Sequence, residues 1–274
     1  YEVLGNIEIA RGGSLTIEPG VQVGFHDGTS ITVNGTLEAE DALFTWADGE
    51  NHWGGIIFKK TAGDSQLENC VIEHSSDYNY VYYLHGGVIV IEESSPKITG
   101  CTINACNAKT GINIRKTALP IVSNNNIMGM ADQAVFVSED SSPRITANFI
   151  SESNFGVNLN YGFYTHNNPV LFGNVYSGMK EGDVNVQGNI SSPVTWLDSG
   201  IYRIARLEIN ENAGLTIHPG KTVAINAGKS IGVRGALEAT DVIFTWADSE
   251  NLWRGIKFYE TSDGNRLENC IIEH

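Results

Sequence analysis

The stretch GVIVIEESSPKITGCTINACNAKTGINIRKTALPIVSNNNI, residues 87–127, runs through one pattern twice. Each pass has a glycine-led apolar alternation (GVIVI from Gly87, GINI from Gly111), then a proline (Pro96, Pro120). A six-residue segment follows with a small polar residue in its fourth place: ITGCTI at 98–103 and VSNNNI at 122–127. The pattern continues on both sides. LENCVI (67–72), ITANFI (145–150) and LFGNVY (171–176) extend the alignment, which falls on Cys70, Cys101, Asn125, Asn148 and Asn174. From Cys101 onward these positions are nearly evenly spaced, and the step from Cys70 to Cys101 is the long one. The alternation recurs as AVFV from Ala134 and GVNL from Gly156, and Pro143 and Pro169 keep the proline place.

A period of about 23 residues, built of short β-prone runs and Asn- or Gly-rich turns, describes a solenoid. One period cannot bury its apolar face alone, so it stacks on its neighbours. Stacked strands lie about 4.8 Å apart. Residues that alternate, such as Val88 and Val90 or Ile112 and Ile114, then form inward columns. Asn125, Asn148 and Asn174 are expected in file at a corner, hydrogen-bonding along the stack and adopting the left-handed backbone that the corner needs. Cys70 and Cys101 share that file, where a small thiol fits. They fall at a separation that a disulfide can span, and buried thiols are the expectation. The leucine-rich pattern L-x-x-L-x-L-x-x-N and the hexapeptides of left-handed β-helices are both absent.

A longer repeat overlies the short one. Residues 15–74 and 215–274 align without a gap, with more than half of the positions identical. The expected organisation is a first β-helix unit over 1–190 and the start of a second over 191–274, continuing the same solenoid through a seam near 178–195. Around Tyr1 and its counterpart the alignment slips by one position. Tyr1 begins in mid-pattern and His274 matches His74, as expected for a piece of a longer array.

The runs LTIEPGV (15–21), NGTL (34–37), WGGIIF (53–58) and LENCVIEH (67–74), together with the asparagine file, resemble the right-handed parallel β-helix of the pectate-lyase-like superfamily. They are similar to repeat regions of large bacterial and archaeal extracellular proteins. The resemblance implies an all-β fold, a right-handed single-stranded parallel β-helix, of about 12 coils at roughly 23 residues each. It implies a secreted or cell-surface location. It does not choose an activity, because this fold hosts lyases, hydrolases, adhesins and scaffolds.

Composition narrows the partners. The net charge of −15 opposes nucleic acid and anionic membranes. No apolar run approaches the ~20 residues of a membrane-spanning helix. The four cysteines match no zinc spacing and are too few for a disulfide scaffold. The acidic surface would attract calcium, but no residues make a defined site, and no cofactor is expected.

The sequence carries no recognisable catalytic pattern. No aspartate cluster stands at coil spacing beside an arginine, and Asp77, Asp132 and Asp140 fall in separate turns. G-x-S-x-G is absent. Asp48 and Glu50 in TWADGENHW (45–53) recur as TWADSENLW (245–253), and His52 against Leu252 changes chemistry freely, so the stretch reads as a corner loop packed by Trp46 and Trp53. Glu73 and His74 read as an exposed strand end.

The binding candidates lie where the period is broken. The stretches 73–87 and 160–168 are longer than the equivalent turns and carry Tyr78, Tyr80, Tyr82, Tyr83 and His85, then Tyr161, Tyr164 and His166. Loop aromatics stack on sugar rings or contact protein. Two functions follow: a structural or adhesive module that supplies length and a surface, with neighbouring copies or adjacent repeat units as partners, or a polysaccharide-binding or polysaccharide-degrading protein.

Overall fold

The computed structural model describes residues 1–60, 62–77, 86–104, 106–162, 168–248 and 251–273. Among these there is no helix, and every strand pairing is parallel. Each turn of the solenoid visits three sheets in order. The A sheet stacks eight strands from Glu2–Val3 to Val175–Ser177, and the C sheet seven from Ser14–Ile17 to Val170–Phe172. The B sheet starts at Ile7–Ile9 and runs on into the second half of the chain. The stack has about ten turns, fewer than the period alone suggests. The reason is uneven coil length. Ile56 and Ile89 are register partners on adjacent coils, as are Ile89 and Ile112, but the first pair is separated by a longer piece of chain. An inserted loop uses chain without adding a turn.

Like residues stack on like. Ile31, Ile56, Ile89, Ile112, Val135, Val157 and Val184 pair successively in the B sheet, all fully buried. Burial of each such side chain stabilises by about 1.5–3 kcal/mol.

The corner between the C and A sheets is a polar ladder. Asn125 Oδ1 accepts from the Cys101 backbone N–H at 2.8 Å. Asn148 Oδ1 accepts from the N–H and Nδ2 of Asn125 at 2.9 and 3.0 Å. Asn174 Oδ1 does the same for Asn148 at 3.0 and 2.9 Å. The second amide hydrogen of each goes to a carbonyl of the preceding coil: Asn125 to Ile98, Asn148 to Val122, Asn174 to Ile145. The thiols imitate that second bond, Cys101 Sγ reaching the Leu67 carbonyl and Cys70 Sγ that of Ala39. Cys270 repeats this with Ala239. The left-handed residue is the one before each rung, namely Asn69, Gly100, Asn124, Ala147 and Gly173, and not the rung asparagine as the sequence suggests. Its reversal turns the next side chain into the corner.

The ladder ends on a residue outside the sequence alignment. Asp198, fully buried, accepts from Asn174 N–H at 3.0 Å, Asn174 Nδ2 at 2.8 Å and Tyr176 Oη at 2.6 Å. Its own N–H donates to Tyr202 Oη at 3.1 Å. Burial first, then the Asp198 carboxylate, pushes the Tyr176 and Tyr202 hydroxyls above the usual tyrosine range.

The seam lies here. The A and C sheets end at Val175–Ser177 and Val170–Phe172. Meanwhile the B sheet widens, from the short Ile56–Phe58 to the long Gly182–Ile190. That long strand pairs with Phe155–Tyr161 on one side and Tyr202–Ile209 on the other. Tyr202–Ile209 then splits, its first part pairing Thr222–Ile225 and its second Ile231–Val233. A new four-stranded sheet from Val194–Trp196 to Arg266–Glu268 completes the later coils. The slip in the sequence alignment has a physical counterpart. Leu4, Gly5 and Asn6 turn the corner between Val3 and Ile7, but only Ala205 and Arg206 separate Ile204 from Leu207. Two short strands therefore fuse into one, with a register shift after Val186.

All four cysteines are free. The hydrogen bond with Cys70, then burial, pushes the Cys101 thiol far up, and burial pushes Cys106 to about 12. Thiol titration of unfolded, reductant-free protein is expected to find four groups, with Cys70 and Cys101 unreactive in the native state; two or fewer would show a bridge. Asp198→Ala strands three buried donors and is expected to cost about 4 kcal/mol in denaturant unfolding, against under about 0.5 kcal/mol for exposed Glu38→Ala. A loss below about 1 kcal/mol would remove Asp198 from the role of ladder terminus.

Candidate functional site

The two aromatic insertions leave from opposite ends of the B strands. The first precedes Ile89–Glu92. Its near end is tied down by Asp77, whose carboxylate accepts from the Lys109 N–H at 3.0 Å, and its far end by Gly86, whose carbonyl accepts from Asn113 Nδ2 at 3.3 Å. The second follows Phe155–Tyr161 and resumes at Asn168, whose N–H donates to Ser142 Oγ at 2.9 Å. Tyr78, Tyr80, Tyr82, Tyr83, His85, Tyr164 and His166 lie outside the described residues. Tyr161 is described and is not a surface group. It is 1 % exposed and belongs to the core, because the strand runs further than the motif suggests and 157, 159 and 161 all face inward. Burial raises its hydroxyl above the usual tyrosine range.

Between these loop roots runs one outward column of the B sheet. Register pairs place Ile57, Val90, Asn113, Phe136, Asn158 and Asn185 in file. Ile57, Val90, Asn113 and Phe136 are 1, 2, 0 and 4 % exposed, yet none belongs to the interior cluster. Beside them an amide relay crosses four coils. Asn185 Nδ2 donates to Asn158 Oδ1 at 3.0 Å, Asn158 Nδ2 to Gln133 Oε1 at 2.7 Å, and Gln133 Nε2 to Thr110 Oγ1 at 3.0 Å. This column is absent from the candidates that the sequence suggests. Its signal is the middle residue of GINI and GVNL, where an asparagine sits between two inward residues.

At the ends of the same strands a carboxylate is clasped by cations from adjacent coils. Glu92 accepts from Lys59 Nζ at 2.8 Å and Arg115 Nε at 2.8 Å, with Lys116 Nζ at 3.3 Å. Burial opposes its ionisation, but the hydrogen bonds and charges of Lys59 and Arg115 outweigh this and hold the carboxyl at about 2.

The other charged candidates are held by local hydrogen bonds and ring contacts. Asp48 accepts from the N–H of Glu50 and Asn51 and from Asn51 Nδ2, and the Asn51 and Glu50 bonds hold its carboxyl at about 2. Trp53 is fully buried, stacks on Phe25 at 4.2 Å and donates to the Glu73 carbonyl at 2.8 Å; Trp253 repeats that bond with Glu273. His74 stacks on Trp46 at 3.8 Å. Glu73 and His74 are therefore partly buried, and not the exposed strand end expected from alternation. No group of three or more His, Cys, Asp or Glu arranged to hold a metal occurs among the described residues.

A family model described as a right handed beta helix region matches residues 27–195, more than half of the chain. No curated protein matches.

The Glu92 clasp sets a pH dependence. An ordinary glutamate titrates near 4.5 and this one near 2, so its stabilisation is complete above about 4.5 and disappears as pH falls toward 2. Thermal midpoints measured from pH 6 down to about 2 should drop less steeply in Glu92→Gln than in the native chain; equal slopes would deny the clasp its role.

Proposed function

The chain belongs to the right-handed β-helix family, and on that premise we propose that it is a rigid structural module of an extracellular or cell-surface repeat protein, presenting its surface to a partner. One observation carries this reading: the B sheet passes unbroken through the seam, joining the two matching segments 15–74 and 215–274 into one stack. A rod made by duplication supplies length, and a continuous sheet keeps it straight and stiff. The polar side chains of the relay are committed to one another, which suits scaffolding better than turnover. Neighbouring copies or adjacent repeat units are the proposed partners.

A second reading, polysaccharide binding, is favoured by the sequence of the first insertion, which carries Tyr78, Tyr80, Tyr82 and Tyr83, since tyrosine rings suit sugar faces.

Solution scattering should return a single straight particle roughly 50 Å along its axis, at about 4.8 Å per turn, with one cooperative unfolding transition. Two independent transitions would break the rod reading. A polysaccharide array separates the second: retention on one glycan, weakened at least tenfold by Tyr80→Ala, would support sugar binding, and release of reducing ends or unsaturated products would replace the structural reading with an enzymatic one.

A further inference from the structure

The outward column changes character as it crosses the seam. Beyond Asn158 and Asn185 it continues as Arg203, Ala224 and Thr245. Here the turn after Val175–Ser177 stands against the sheet, and the two enclose a groove of about 380 Å³. Its lining includes Met179, Lys180, Ile201, Arg203, Ala224 and Trp246.

Arg203 is fixed in this groove. Its Nε donates to Asn226 Oδ1 at 2.8 Å and its Nη1 to the Glu181 carbonyl at 2.7 Å. A guanidinium has five N–H groups in a rigid fork, so two bonds orient it without exhausting it. Lys180 is exposed beside it. Of the two acids in the lining, Asp183 has its Oδ2 turned to the Ile201 N–H at 2.9 Å, and Glu181 is exposed. Two cations and two carboxylates thus share one part-apolar hollow on a chain of net charge −15, with the Arg203 fork held in place.

The first half of the chain is an internal control. Arg203 pairs with Ala224, and the residue that pairs with the equivalent Gly24 is Glu2. At the same register place a carboxylate has become a guanidinium. Met179 and Lys180 come from the end of the first unit, and Arg203 and Ala224 from the start of the second. The groove therefore draws on both sides of the seam and is not a property of the repeat.

We propose that the seam groove binds a small organic carboxylate, with the anionic group on Arg203 and Lys180 and an apolar body against Met179, Ile201 and Trp246. A concave pocket with few oriented polar groups is the usual form of a small-molecule site. An arginine fork supplies the geometry that a carboxylate needs. The inference is independent of the rod reading, since it concerns a different stretch of the surface.

Phenylacetate is the probe, and phenylacetamide, alike in shape but uncharged, is the control. Binding is measured on the full chain by calorimetry and by the NMR shift of the Trp246 indole N–H, identified with Trp246→Phe. The expected result is saturable phenylacetate binding in the millimolar range, at least tenfold weaker for the amide and in Arg203→Gln. Lys180→Glu, at an exposed position, keeps the fold and weakens binding as well, which covers the case in which Arg203→Gln disturbs the seam. No saturable phenylacetate binding, equal binding of acid and amide, or unchanged affinity in Lys180→Glu would overturn the proposal.

Discussion

Every coil of this protein has an apolar side that it cannot hide by itself, and a corner whose backbone polar groups are cut off from water. Both problems have the same solution, which is an in-register neighbour. The aliphatic columns from Ile31 to Val184 meet the first demand. The Asn125–Asn148–Asn174 ladder meets the second, because each carboxamide offers its acceptor and one donor to the coil before it and its other donor to the coil after. An unpartnered buried amide costs about 1–3 kcal/mol, so a slipped coil is penalised at the corner as well as in the core. Register is thus specified twice, by shape and by hydrogen bonding.

What the sequence disclosed follows from this redundancy. The ladder asparagines, the thiols that stand in for them and the parallel stack were legible because identical demands recur at nearly constant spacing. Asp198 was in phase too, one coil beyond Asn174, but its chemistry differs and no strand-like hexamer surrounds it. Tyr161 was misplaced because aromatic content marks a loop only when the strand boundary is known, and here the strand extends to include it. The outward column was hidden by its company. Val90 and Phe136 between inward residues look like core, and only the pairing register separates the two faces.

The seam shows how a duplicated solenoid is joined to itself. Loss of one corner residue between Ile204 and Leu207 merges two faces into one strand. The coil flattens locally, the A sheet stops, and the broad B sheet carries the connection before dividing again. Asp198 is suited to that place. It receives the last donors of the ladder and asks nothing of a following rung, and Tyr176 and Tyr202 close over it. The same disruption creates the groove around Arg203, a surface that neither half possesses alone.

The ladder also has a polarity. Each rung sends its N–H and one amide hydrogen forward, to an oxygen on the coil made next, and the final oxygen belongs to a side chain with no hydrogen to pass on. The file of amides is therefore one-way, and Asp198 closes it while the B sheet carries the stack onward.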